Sequence, residues 1–162
     1  MPYLILAVVL VITVVFISSH NELVVLRNRA DEAFSELDVY FKTRHNIAKD
    51  AAKITMPFYE IESKEVLSLA VKAGKSADIK RLDNEEKLRL SLNRLFAVSQ
   101  ISELGKNEEL SKLRSRLDSL ELSLANSVKF YDSAAKAYNI KVESFPTSVV
   151  ASLFNFERKI VF

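Results

Sequence analysis

The side chains that could ligate a metal or act in catalysis are few and widely separated in this sequence. His20 and His45 are the only histidines, and cysteine is absent. The histidines do not share a helical turn, and no Glu-x-x-His pair occurs, so both a two-histidine zinc motif and the di-iron pattern of helical bundles are missing. We therefore expect no metal, no cofactor and no catalytic residue. His45 is expected at the surface or in helix packing, and His20 at the edge of a membrane.

Two other kinds of cluster have both a functional and a structural interpretation. Acidic runs at residues 60–65 and 108–109 could supply carboxylate ligands, but they also suit solvated helix faces and the first turns of helices. Arg27 lies four residues before Asp31, and Arg29 lies three before Glu32, so each pair can form a surface ion pair on a helix. The alternative is a site for lipid headgroups or a partner.

Composition indicates a mostly helical chain. The 162 residues make about one domain, and 2 Gly and 3 Pro are too few for a sandwich or barrel with many tight turns. A formal net charge of +2 lacks the basic excess that nucleic-acid binding usually requires, so we expect no nucleic-acid partner.

Residues 1–19 carry no charged side chain and predict a membrane-spanning helix. Tyr3 suits an interfacial position. A cleaved signal peptide normally has a basic start, which is missing here, and a core helix of a soluble bundle would be amphipathic. We favour a retained anchor. The basic residues after it predict an N-terminus outside and a cytoplasmic soluble part: Arg27, Arg29, Lys42 and Arg44.

The region after the anchor has the heptad periodicity of a long helix. Its stripe has one polar break, at Arg44, and no Gly or Pro interrupts residues 18–55, so the membrane helix should continue into it until Pro57. The stripe consists of Leu23, Leu26, Ala30, Ala33, Leu37, Tyr40, Arg44 and Ile47.

Two shorter helices should follow. We expect one over residues 58–73, stopped by Gly74, with Ile61, Val66, Leu67 and Ala70 inward. Residues 75–81 are predicted as a loop. The next helix should be capped by Asp83 or Asn84, carry Glu85 and Glu86 in its first turn, and bury Leu88, Leu92, Leu95 and Phe96.

The last long helix has the clearest pattern. After a turn at Gly105 and a cap at Asn107, we expect it to end before Pro146. Its tyrosines fit a core better than a ligand site, and their hydroxyl groups need partners. The stripe consists of Leu110, Leu113, Leu117, Leu120, Leu124, Ser127, Tyr131, Ala134, Tyr138, Lys141 and Phe145.

Motifs at both ends of the chain resemble those of the LemA family of bacterial membrane-anchored helical proteins. They are Asn21-Glu22-Leu23-Val24-Val25-Leu26-Arg27-Asn28-Arg29, Glu32-Ala33-Phe34-Ser35, Leu37-Asp38-Val39, Phe130-Tyr131-Asp132, Tyr138-Asn139 and Phe145-Pro146-Thr147-Ser148. The resemblance implies an all-α fold in which one transmembrane helix precedes an antiparallel four-helix bundle with long first and last helices. It implies no known enzymatic activity. A role in membrane or envelope organisation is an analogy with the family.

The predicted organisation has three parts: an anchor over residues 1–19, a bundle over 20–145 and an amphipathic C-terminal segment over 146–162. The family-motif and interaction candidates are Arg27, Asn28, Arg29, Phe34, Asp38, Tyr131, Tyr138, Asn139, Phe145 and Pro146.

The C-terminal segment is expected near the membrane, because four antiparallel helices bring the chain back to its start. Thr147 or Ser148 should cap a short helix, with Val149, Leu153, Phe156 and Ile160 on one face. Alternatively, this face packs on the bundle. The membrane-contact candidates are Tyr3, Val149, Leu153, Phe154, Phe156, Arg158 and Lys159, the last two reaching headgroups.

These observations favour a non-enzymatic single-pass membrane protein whose partners are the lipid bilayer, an unidentified protein and a second copy of itself. A homo-oligomer is expected because the two short helices cannot cover the stripe around Leu23, Leu26, Phe34, Tyr131 and Tyr138. Residues 145–162 folding back over the stripe would be the monomeric alternative. A membrane-tethered sensor that binds a small ligand in the bundle is the alternative function.

Overall fold

The computed structural model describes residues 2–76 and 78–162, and within these residues every regular element is a helix. The predicted all-α class is confirmed. The elements are α1 (Pro2–Thr55), α2 (Glu60–Lys75), α3 (Asp78–Ile101), a short 3₁₀ helix (Glu103–Lys106), α4 (Glu108–Glu143) and α5 (Thr147–Leu153).

Helix α1 is one uninterrupted helix of 54 residues. Proline and glycine are absent from residues 3–56, so nothing removes a backbone donor or breaks the helix before Pro57. Side chains are exposed over most of its first seventeen residues. From Leu23 onward the predicted stripe is buried, except that Leu26 and Tyr40 are only partly buried. Among the described helices, α1 alone is long and apolar enough to cross a membrane.

The chain divides into two compact units. Unit 1 comprises Met1–Ser35 and Val128–Phe162, and unit 2 comprises Glu36–Ser127. In unit 2, a single core cluster takes side chains from α1, α2, α3, the 3₁₀ helix and α4. Its largest members are Ile47, Val66, Leu88, Leu92, Leu95, Phe96, Leu104, Leu110, Leu113, Leu117 and Leu120.

In unit 1, the core joins α1 and α4 to the C-terminal segment. Leu23 and Tyr138 pack with Val150 and Ala151 of α5 and with Phe156, which follows it. This segment therefore folds back over the stripe that the two shorter helices were expected to leave uncovered. This contact removes apolar side chains of both the stripe and the C-terminal segment from water.

The region from α2 to α3 differs from the prediction. Gly74 lies inside α2, which continues to Lys75, and Ile61 is 81% exposed, although Val66 and Ala70 are buried as expected. A Cβ at Gly74 would make an ordinary van der Waals contact with the His45 ring at 3.5 Å, so packing does not require a glycine here.

Most of the predicted loop at residues 75–81 is helical, although Ala77 lies outside the described residues. Helix α3 begins at Asp78, so Asp83 and Asn84 lie within it and do not cap it. Ordinary helix-forming residues extend α3 toward its N-terminus, and no Gly or Pro occurs there to stop it. The Asn84 amide instead donates to Ser76 Oγ at 2.8 Å.

Helix α4 follows the prediction except at its end. Asn107 caps it through a 2.9 Å hydrogen bond that its Oδ1 accepts from the Leu110 amide. The stripe is buried from Leu110 to Tyr138, but the helix ends at Glu143, so Phe145 lies beyond it and is 85% exposed.

Helix α5 presents a different face from the one predicted. Thr147, Val150 and Ala151 are buried, whereas Val149 and Leu153 are exposed. Phe156 and Ile160 do not continue the face of these two residues because the helix ends at Leu153. Neither predicted cap forms: the Thr147 hydroxyl donates to backbone oxygens of Lys141 and Ser144.

The two glycines allow a matched stability test. A Cβ at Gly105 would lie 2.5 Å from the Gln100 backbone oxygen, whereas a Cβ at Gly74 meets only ordinary contacts. We expect Gly105→Ala to lower the free energy of unfolding by about 1–3 kcal/mol. Gly74→Ala should raise it by roughly 0.4–1 kcal/mol, because alanine restricts the unfolded chain. Chemical denaturation of the full chain in detergent measures both, and equal effects would contradict the close approach at Gly105.

Candidate functional site

A buried cluster of charged side chains lies in the core of unit 2. Arg44 on α1 donates to Glu85 Oε2 on α3 and to Glu121 Oε1 on α4, each at 3.0 Å. His45 Nε2 lies 2.7 Å from Glu85 Oε1. The side chains of Arg44 and Glu85 are 2% and 4% exposed. Three helices thus contribute to one compensated set of charges, as a buried arginine requires.

Glu85 was expected in the first turn of α3 as a dipole partner, and that prediction is wrong. Because α3 begins at Asp78, Glu85 lies further along the helix and faces α1. Both of its carboxylate oxygens are used by Arg44 and His45. His45 is in helix packing, one of its two expected settings. The signal that could have found this cluster is Arg44 itself, since a charge in a buried heptad position needs a partner.

A second ionic contact in unit 2 involves the motif residue Asp38. Its carboxylate accepts from Lys42 at 2.7 Å and from Arg81, whose guanidinium also lies 5.3 Å from the centre of the Phe41 ring. Burial would raise the pKa of Asp38, but the hydrogen bonds and positive charges of Lys42 and Arg81 outweigh it and lower that pKa. Asp38 therefore ties α1 to α3.

Side chains of α4 hold the last residues of unit 1 by their backbone. We call residues 157–162 the C-terminal strap. Asn139 donates to the Lys159 carbonyl oxygen and accepts from the Lys159 amide, both at 2.8 Å. The Tyr131 hydroxyl donates to the Ile160 carbonyl oxygen at 2.7 Å, and Asp132 Oδ1 accepts from the Phe162 amide at 2.8 Å. The motif residues Tyr131 and Asn139 thus position the strap.

Aromatic contacts extend this packing. The Tyr131 ring lies between Phe34 and Phe162, with ring centroids 5.4 and 5.3 Å away. Burial, together with the charges of Asp132 and Asp31, raises the pKa of Tyr131. The Tyr131 hydroxyl has the partner that was expected of it. Both tyrosines are core residues, as predicted.

Tyr138 is fully buried, and its hydroxyl has no hydrogen-bond partner within the described residues. Burial is the main cause of its raised pKa. A neutral phenol in this setting contributes mainly through the apolar area of its ring.

The predicted pairs of Arg27 with Asp31 and of Arg29 with Glu32 do not occur within the described residues. Asp31 instead accepts from Lys159, and the Arg27 guanidinium lies 5.1 Å from the centre of the Phe156 ring. Asn28 and Arg29 are exposed on α1. Arg27 thus contacts the Phe156 ring, and Asp31 pairs with Lys159, in place of the predicted pairs along α1. Both contacts form because the C-terminal segment folds back onto α1.

The predicted membrane-contact residues separate into two groups. Tyr3, Val149, Leu153 and Phe154 are exposed. Phe156 is buried, Arg158 pairs with Glu143 at 2.8 Å, and Lys159 pairs with Asp31. Pro146 directly precedes α5. Of the predicted apolar face, Phe156 therefore packs on the chain, as the alternative interpretation held, whereas Val149 and Leu153 do not.

No group of three or more histidine, cysteine or acidic side chains that could hold a metal occurs in the part of the chain that the structure describes. The ionisable groups of the buried cluster are paired with one another. The buried cluster links three helices of unit 2, and the contacts of α4 hold the C-terminal segment of unit 1 in place.

The fold is all-helical, with one apolar helix long enough to cross a membrane, and motif side chains of α4 hold the last residues of the chain. The LemA family model matches residues 33–162, so this chain belongs to the LemA family and the resemblance is confirmed. Searches of curated proteins and of solved structures each returned no match.

The buried cluster predicts unequal effects for two neighbouring glutamates. Glu85→Ala leaves Arg44 without one of its two carboxylates in the core and should lower the free energy of unfolding by about 3–5 kcal/mol. Glu86→Ala removes only a surface pair with Arg89 and should cost about 0–1 kcal/mol. Thermal or chemical unfolding measures the difference, and similar losses would show that the cluster does not stabilise the core.

The strap predicts a local effect for Asn139→Ala. The variant loses both hydrogen bonds to Lys159 and should lower stability by about 1–3 kcal/mol, with faster amide exchange confined to residues 157–162. Lys136→Ala is the matched control, because Lys136 is exposed on the same helix. Unchanged exchange in the strap of the Asn139 variant would contradict the role assigned to this side chain.

Proposed function

We propose that this LemA-family chain is a non-enzymatic, single-pass protein of the cell membrane that acts through protein–protein or protein–membrane contacts. In this proposal, residues 1–19 are a retained anchor, the N-terminus is outside and the rest of the chain is cytoplasmic. A part in membrane or envelope organisation follows from the family analogy alone.

The observation that carries this proposal is the change of character along α1. Its first part is apolar and exposed, and its later part has a buried stripe, yet both belong to one continuous helix. An exposed apolar run of this length requires a nonpolar surrounding, which a bilayer supplies. Its exposure also argues against a buried core helix.

We further propose that α1, α2, α3 and α4 form an antiparallel four-helix bundle. The unit 2 core cluster, which takes side chains from all four helices, supports this arrangement.

The buried charge cluster supports the proposal of a non-enzymatic protein, because both carboxylate oxygens of Glu85 are occupied by Arg44 and His45.

The alternative, a tethered sensor for a small ligand, has weaker support. A cavity of about 220 Å³ lies beside Phe96, Leu110 and Arg114 in unit 2. Ligand pockets for drug-sized molecules usually measure about 300–1,000 Å³. Arg114 already contacts Asn93 and Asp118. A second, shallow groove of about 410 Å³ lies near Ile47 and Leu120, and three hydroxyl side chains that line it bond to their own helices: Thr43, Ser119 and Ser123.

Contacts with a second copy need a surface other than the one expected. The seam around Leu23 and Tyr138 is occupied by α5 and Phe156. We therefore place contacts with a second copy or an unidentified protein on exposed apolar side chains of unit 2, such as Val39, Leu90 and Leu122.

Single cysteines test the anchor and its orientation, because the chain has no cysteine of its own. Ala125 is exposed on α4, and Tyr3 is exposed near the start of α1. In intact cells we expect an impermeant maleimide to label Tyr3→Cys and to spare Ala125→Cys until the membrane is permeabilised. Labelling of Ala125→Cys alone before permeabilisation would reverse the orientation.

Fractionation of the same cells separates a retained anchor from a removed signal peptide. We expect the full-length chain to stay in the membrane pellet after an alkaline carbonate wash. A shortened chain in the soluble fraction would overturn the anchor.

A further inference from the structure

An apolar face remains exposed at the C-terminal end of unit 1. It consists of Phe145, Val149, Leu153 and Phe154, which we call the C-terminal apolar face; these side chains are between 51% and 85% exposed. The opposite side of α5 is buried through Thr147, Val150 and Ala151. The helix is therefore fixed on one side and presents large apolar side chains on the other, as interfacial amphipathic helices do.

This face adjoins the end of the apolar part of α1. The Phe154 ring lies 5.9 Å from the Phe16 ring and 4.7 Å from the His20 ring, measured between centroids. Lys141 near the end of α4 pairs with Glu22 of α1 at 2.7 Å. The start of α5 is tied to the same place, because the Thr147 hydroxyl donates to the Lys141 carbonyl oxygen.

Three basic side chains around the face already form ion pairs with carboxylates of the chain. Lys141 pairs with Glu22, Arg158 with Glu143 and Lys159 with Asp31. Each of these pairs sets a carboxylate beside the cation, so a lipid phosphate would have to compete with it. Attraction to anionic headgroups by these residues should therefore be small.

We propose that the C-terminal apolar face lies in the interfacial layer of the bilayer that holds residues 1–19, and that burial of its apolar side chains drives this contact whatever the headgroup charge. The inference rests on the proposed anchor and adds a second lipid contact of defined chemistry. The face adjoins the exposed apolar run of α1 that ends near Phe16. We therefore assign it to the same surrounding, the boundary between headgroups and acyl chains. Such helices lie about 5–10 Å into the boundary between headgroups and acyl chains.

Tryptophan fluorescence tests the contact in the full chain, because the sequence contains no tryptophan. Phe154→Trp and Leu153→Trp place the probe on the face, and both native side chains are exposed, so neither change disturbs the core. Phe58→Trp is the matched control on an exposed aromatic position of unit 2. Each variant is reconstituted in nanodiscs of phosphatidylcholine alone and of phosphatidylcholine with phosphatidylglycerol.

We expect blue-shifted emission from both probes on the face, loss of their fluorescence when the acyl chains carry bromine, and protection from aqueous iodide. The control probe should show red-shifted emission and quenching by iodide only. Equal quenching by brominated lipid in the neutral and the anionic nanodiscs is the result that supports a charge-independent contact.

Three results would overturn the inference while the anchor stands. Iodide quenching of both face probes in nanodisc-bound protein would place the face in water. Blue-shifted emission without quenching by brominated lipid would show that protein covers it. Quenching by brominated lipid only in anionic nanodiscs would show that headgroup charge drives the contact. A chain that does not remain in the nanodiscs would instead overturn the proposed anchor, and this inference with it.

Discussion

The buried stripe of α1 is the constraint on which the rest of the structure depends, because apolar side chains along one face of a helix must be covered. Unit 2 covers its part of the stripe, around Ile47, with leucines of α3 and α4 and small residues of α2. Unit 1 has neither α2 nor α3, and it covers Leu23 with α5 and Phe156 instead. The C-terminal segment thus does in one unit what the α2–α3 hairpin does in the other. This explains why a short helix of seven residues persists although it is too short to be stable alone.

Polar contacts decide the register of the helices and the C-terminal segment that pack on the stripe of α1. Arg44 occupies a stripe position, and burying its guanidinium requires carboxylates from elsewhere in the chain. Glu85 and Glu121 meet that requirement from α3 and α4, so a slip of either helix by one turn would leave a charge unpaired in the core. In unit 1 the neutral side chains Asn139 and Tyr131 bind backbone groups of the strap, beside ion pairs such as that of Lys159 with Asp31. Both devices restrict the chain to one arrangement, where apolar packing alone tolerates several.

Sequence periodicity predicted the long helices and their buried faces, and the predictions were wrong at positions whose role depends on one tertiary contact. The stripes of α1 and α4, the continuity of α1 and the cap at Asn107 were right because repeated spacing and missing helix breakers carry the signal. Gly74 was predicted to stop α2, yet it does not adopt the left-handed conformation of a glycine cap and the helix continues to Lys75. Glu85 fitted a first-turn acid equally well, because spacing does not reveal which side chain faces Arg44. The motif residues around Tyr131 and Asn139 were found by resemblance, but their strap contacts join residues far apart in sequence, and periodicity does not detect such contacts.

The hydrogen bonds of Tyr131 and Asn139 show which groups of the strap these motif residues bind. Asn139 pairs with the amide and the carbonyl of Lys159, and Tyr131 with the carbonyl of Ile160, so they recognise the backbone rather than particular side chains. Most side chains at residues 157–162 could change without altering those hydrogen bonds. Substitutions of Tyr131 or Asn139, by contrast, would remove these hydrogen bonds and free residues 157–162. The motif residues Tyr131 and Asn139 on α4 therefore position the strap, whereas Phe154 is placed by its own contacts with Phe16 and His20 of α1.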